Sequence, residues 1–317
     1  MIPRSSPPLD DFLAGAEPST SAEALQRVGV VLGVAGALVT LGVMVFLRFI
    51  WSAEVGSRRR LEAAIVVGGA VTLVGSILQA MGTATILDDG LLDVVSGTGG
   101  AGVMMRALGG AFVVLGLADR FAADGNVADT GATDTSTSDT WRPPPTAFFA
   151  IAGAALSGLS FAFDGHTVSR GPRVVHAMTD AVHVGAGAVW VGGLSALALL
   201  ALARPGSARV SWTMLLHRYS TFATAALVVV AAAGAVMAVF VLDSWGDLFR
   251  TEWGQVLIVK TLLVALAAAV GAYQHFVIVP RLPDVAERRA RTAVLVETSV
   301  LLSVVVATGL LTTASTV

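Results

Sequence analysis

Apolar runs separated by short polar breaks fill most of the chain, at about 25–50, 61–86, 101–121, 146–163, 174–203, 213–242, 253–279 and 290–315. Each run is close to the roughly 20 residues that a helix needs to cross ~30 Å of hydrocarbon. A single strand cannot satisfy its backbone groups in lipid, whereas a helix does so within itself. The pattern therefore predicts an all-α polytopic membrane protein with about eight transmembrane helices.

One break is different in kind. Residues 122–145 are polar and low in complexity, with Asp124, Asp129, Asp134 and Asp139 evenly spaced. Such a stretch buries too little apolar surface to offset its ordering entropy, so it is expected to be a disordered cytoplasmic linker. It separates a three-helix N-terminal membrane region, 25–121, from a five-helix membrane region, 146–317. An outer tail, 1–24, precedes both. This tail has no apolar h-region, so the first hydrophobic helix is expected to direct insertion itself.

Arginine placement predicts orientation. With both termini outside, the inner side receives thirteen: Arg48, Arg58, Arg59, Arg60, Arg120, Arg142, Arg204, Arg209, Arg218, Arg281, Arg288, Arg289 and Arg291. The outer side receives six, Arg4, Arg27, Arg106, Arg170, Arg173 and Arg250. The positive-inside bias then favours an N-out, C-out arrangement.

Composition agrees with a membrane protein: 55% of the 317 residues are hydrophobic and only 13% are charged, against about 25% charged in soluble domains. A formal charge of −2 offers no basic face for nucleic acid. There are no cysteines, which removes thiolate metal sites and leaves methionine as the soft sulfur ligand. No phosphate-binding loop or hydrolytic motif is visible, so the chain reads as a transporter and not an enzyme.

Candidate chemistry concentrates between Phe163 and Leu194, which holds His166, His176 and His183, three of the five histidines. His176, Asp180, His183, Gly187 and Trp190 recur at intervals of four and three, which puts them on one helical face. His176 and His183 are about 10 Å apart along the axis, too far for one ion held by bonds of about 2 Å. They are either two successive metal stations, or one is a ligand whose imidazole Asp180 orients. His166 is placed to converge on His176 from the preceding helix. Met81, Met104 and Met105 lie at comparable depth and are further ligand candidates, although core filling is the ordinary role of such methionines. A His/Met set without cysteine suits a copper ion better than zinc, calcium or magnesium.

Lys260 and Glu297 lie within the last two spans at different depths, and with Trp190 they are candidates for lining a transport path. His217 and His275 fall near cytoplasmic helix ends and form an alternative inner site. They also open a second reading. Histidines facing each other at one depth, in an outer and an inner set, would ligate haem b in a membrane cytochrome. Thirty-four glycines, including Gly29, Gly33 and a cluster from Gly185 to Gly193, are expected to permit close helix packing.

Several of these residues also carry a resemblance. Asp180 and His183 precede the run Ala188-Val189-Trp190-Val191-Gly192-Gly193-Leu194. His217-Arg218-Tyr219-Ser220, Trp253 through Lys260, Val279-Pro280-Arg281-Leu282 and Glu297 follow in order. Over residues 160–315, with Gly165-His166 upstream, the chain resembles the CopD family of copper resistance membrane proteins. The resemblance implies a multi-pass protein of the prokaryotic cytoplasmic membrane that takes up copper. It also implies a CopC-type periplasmic copper-binding partner, here a separate chain because no such β-domain is present. A copper-binding assembly factor is a weaker alternative. Gln274-His275 stands where a more basic pair is expected.

Overall fold

The computed structural model describes residues 20–52, 58–97, 99–122, 145–163, 173–202, 212–242, 244–281 and 287–311. The outer tail up to residue 19, the polar linker between 123 and 144, and His166 lie outside the described residues. Every described element is a helix. In order they are α1 (Thr20–Phe49), α2 (Arg58–Leu87), the short α3 (Leu91–Ser96), α4 (Gly100–Ala122) and α5 (Ala147–Leu159), which a 3-10 turn extends to Phe163. Then come α6 (Arg173–Ala201), α7 (Trp212–Val241), the short α8 (Asp247–Arg250), α9 (Glu252–Tyr273) and α10 (Glu287–Leu311). A π turn, Gln274–Ile278, and a 3-10 turn, Val279–Arg281, continue α9.

Seven helices are long and apolar enough to cross a membrane, and the eighth apolar run, Ala147–Phe163, forms a shorter one. The expected spans agree with these to within a few residues. The polar break at 87–100 is not wholly irregular, because α3 forms inside it with Leu92 84% exposed. Serine and threonine are accommodated within the apolar helices by donating back one turn. Thr72 Oγ1 donates to the Gly68 carbonyl and Ser76 Oγ to that of Thr72, both at 2.8 Å, so these two hydroxyls are satisfied within their own helix.

Helices α1 and α6 sit at the centre. Helix α1 packs on α2, α6 and α10, while α6 packs on α1, α7 and α10. Small residues set how closely they approach. A Cβ at Gly42 would overlap the Ala188 carbonyl oxygen, and one at Gly192 would overlap the Gly42 Cα. The α1–α2 seam is built in the same way: a Cβ at Gly29 would stand 2.7 Å from the Gly75 carbonyl oxygen. Helix association in lipid lacks the usual hydrophobic drive, so dispersion across such close contacts has to supply it. Gly185 differs, with nothing within 4 Å of its Cβ position.

These two environments predict opposite signs for one substitution. Gly185→Ala gains helix propensity, worth up to about 1 kcal/mol, and meets no obstacle. Gly42→Ala forces two backbones apart, at a cost of about 1–3 kcal/mol. Thermal unfolding of the purified protein in detergent is expected to show a raised or unchanged Tm for the first and a lowered Tm for the second.

Candidate functional site

The stripe read from the spacing on α6 faces inward. His176 and Asp180 are each 7% exposed and Trp190 4%, whereas Val174, Met178 and Val182 on the opposite face are 70%, 64% and 48% exposed. From His176 to Trp190 is fourteen residues, or about 21 Å of helix axis.

At one end of this stripe the His176 ring lies against Phe240 of α7, with centroids 4.6 Å apart. Its Nε2 is buried and has no hydrogen-bond partner among the described residues. Two turns further, His183 Nδ1 is 3.1 Å from the Val230 carbonyl oxygen on α7. A carbonyl only accepts, so Nδ1 carries the proton. A neutral imidazole then presents its lone pair at Nε2, which is the orientation device found behind many metal-ligating histidines. Lys260 of α9, half-buried, lies within electrostatic reach of this ring.

The stripe ends in a polar knot. The indole N–H of Trp190 donates to the Glu297 carboxylate, and Gln274 Nε2 donates to Glu297 Oε2 at 2.6 Å. Tyr219 Oη donates to the Trp190 carbonyl at 2.8 Å and feels the Glu297 charge. All four side chains are buried, at 4–6% exposure. Room for the carboxylate comes from Gly271, whose Cβ would stand 2.9 Å from Glu297 Oε1. An ionised side chain at mid-membrane costs about 2.5–3.5 kcal/mol. The hydrogen bonds from Trp190 and Gln274 offset part of the cost of burying this side chain.

The π turn places Gln274 and its neighbour. Ser220 Oγ donates to the His217 carbonyl at 3.0 Å, so at 3.1 Å it accepts from His275 Nδ1. The expected inner histidines are thus linked through Ser220, and the His217 side chain is exposed.

Other expected residues stay apart. Met81 and Met104 are 42% and 44% exposed, and Met105 is half-buried on α4, which packs on α2 and α5. No group of three or more His, Asp or Glu able to hold a metal occurs among the described residues. Trp190 and Glu297 meet directly, while Lys260 belongs with His183, at a different level.

Three residues had no site role in the sequence reading, although Tyr219 and Gln274 were quoted for the family resemblance. Gln274 and Tyr219 complete the knot around Glu297. Arg106, counted only as an outer arginine near a helix end, is 1% exposed; its Nε donates to Ser160 Oγ at 3.2 Å, and its guanidinium lies 4.7 Å from the Phe161 ring centroid. An arginine six residues inside α4 is a signal that hydropathy averages away.

Seven helices long and apolar enough to cross a membrane, among the described residues, define a multi-pass membrane protein, with polar side chains of α6 turned toward α7 and α10. Residues 213–311, about a third of the chain, match the copper resistance protein D family model. The chain is 31% identical over 140 residues to the copper transport protein CutJ of Bacillus subtilis (strain 168), covering 44% of this chain and 24% of that protein. The chain thus spans about a quarter of the length of this relative. No solved structure matches. The matched family segment begins after α6, so His176, Asp180, His183 and Trp190 lie ahead of it, whereas Tyr219, Lys260, Gln274, His275 and Glu297 lie inside it.

The asymmetry of buried hydrogen bonds gives a test of the knot. Gln274→Leu alone leaves Glu297 short of a donor and is expected to lower stability by about 1–3 kcal/mol. Adding Glu297→Leu together with Trp190→Phe removes the abandoned acceptor and the indole N–H it would strand, so the triple variant is expected to recover part of that loss in thermal unfolding.

Proposed function

We propose that this chain carries copper ions across the cytoplasmic membrane of a prokaryote, inward, with both termini outside. The observation that supports this reading best is the inward-facing line from the buried His176 and Asp180 through the half-buried His183 to the buried Trp190 and Glu297. On the proposed orientation the His176 end is outer and the Glu297–Gln274 knot lies toward the inner side. The match to the CopD family model and the likeness to a protein named for copper transport supply the cargo.

Copper is the substrate of this path and not a resident cofactor. It enters at His176, with His166 as a further ligand, and passes to His183 Nε2, which the Val230 carbonyl holds in the binding tautomer. Asp180, one turn from each, attracts the cation and orients an imidazole. Lys260 sets the charge balance at the second station. Trp190 and Glu297 mark the inner continuation. A separate extracytoplasmic copper-binding protein of CopC type delivers the ion.

Two measurements test this reading. His183→Ala is expected to abolish copper accumulation in cells while the purified variant keeps its elution profile and melting behaviour; normal accumulation would sink the assignment. The purified protein is also expected to show no Soret band. A strong one would instead support the cytochrome reading, with histidines holding haem b.

A further inference from the structure

Away from the polar line, a groove of about 620 Å³ runs between α9 and α10. That volume falls within the roughly 300–1,000 Å³ of small-molecule sites. Its walls are apolar, formed by Val270 and Tyr273 of α9 and Ala293 and Val296 of α10, and Arg288 and Arg289 line one end. Tyr273 is 58% and Val296 48% exposed, so the groove opens to the surroundings of the bundle rather than to its core. Along α10, Arg288 and Val296 are eight residues apart, or about 12 Å.

We propose that this groove is a binding site for an anionic phospholipid, with the acyl chain along α9 and α10 and the headgroup phosphate on Arg288 and Arg289. The charge and the shape agree on that occupant. Among the described residues no carboxylate lines the groove, whose charged lining groups are the two guanidinium groups of Arg288 and Arg289. Guanidinium recognises phosphate through paired N–H donors. The arginines belong to the side that the positive-inside bias assigns to the cytoplasm, the leaflet where anionic lipid is concentrated. Tyr273 supplies the amphipathic ring typical of the headgroup level.

Other occupants fit less well. A free phosphate would use the arginines and leave the apolar wall uncovered. A second copy seated on the same surface about a two-fold axis would set one arginine pair against another. The acidic stretch 122–145 offers charge but no apolar segment to fill the groove.

The test uses the full chain, purified and exposed to an equimolar mixture of phosphatidylglycerol and phosphatidylcholine, with retained lipid counted by native mass spectrometry. Wild type is expected to retain phosphatidylglycerol over phosphatidylcholine by about tenfold to thirtyfold, as two interfacial arginines imply. R288Q/R289Q is expected to bring that ratio close to one, and R288K/R289K to preserve most of it. Ala293→Trp, which fills the groove, is expected to reduce retention of both lipids. A wild-type ratio near one, or an unchanged ratio in R288Q/R289Q, overturns the proposal. So does displacement of phosphatidylglycerol by millimolar inorganic phosphate, which would indicate a bare anion site. If Ala293→Trp instead converts a dimer to a monomer with lipid retention intact, the groove belongs to a second copy.

Discussion

The contact on which the rest depends is the crossing of α1 and α6 at Gly42 and Gly192, where neither residue has room for a Cβ. Backbone meets backbone there, so the separation of the two helices admits little adjustment. This fixes one face of α6 against α1, through Ala188 and Gly192. It thereby turns the neighbouring face, with His176, Asp180, His183 and Trp190, toward α7 and α10. The polar line does not choose its own direction. It is aimed by the small residues beside it on the same helix.

That direction would be costly without the knot at its end. A carboxylate at Glu297 is tolerable because Trp190 and Gln274 both donate to it and Gly271 leaves it space. The knot in turn joins α6, α10 and the end of α9, with α7 tied in through Tyr219. Its hydrogen bonds hold together helices whose apolar contact alone would do little in lipid. The π turn belongs to the same solution. One extra residue in the helical register brings Gln274 onto Glu297 and His275 onto Ser220, a rearrangement that helices favour at functional positions.

Spans and stripe were legible in the sequence for different reasons. Hydropathy needs no knowledge of partners, so α1, α2, α4, α6, α7, α9 and α10 could be placed from the residues alone. The inward stripe followed from spacings of three and four, because helical geometry fixes which residues share a face. The knot followed from neither. Gln274 and Glu297 are 23 residues apart, and a straight continuation of α9 would aim Gln274 elsewhere; a π turn leaves no period in the sequence. Arg106 was missed because its solvation comes from Ser160 and Phe161 on the next helix. The methionines illustrate the converse. Met81 and Met104 matched the histidines in depth, but depth says nothing about azimuth, and both turn outward.

On the transport reading, the sparseness of ligands along α6 is informative. His176 and His183 are two turns apart and, among the described residues, neither joins a group able to enclose an ion. A closed four-ligand cage would hold copper firmly and release it slowly. Conduction instead requires that an ion bind well enough to enter and weakly enough to leave, over more than one site. On that reading, one imidazole per level, each in contact with α7, would supply successive shallow wells. On the proposed transport reading, the line on α6 would therefore suit passing an ion better than storing it.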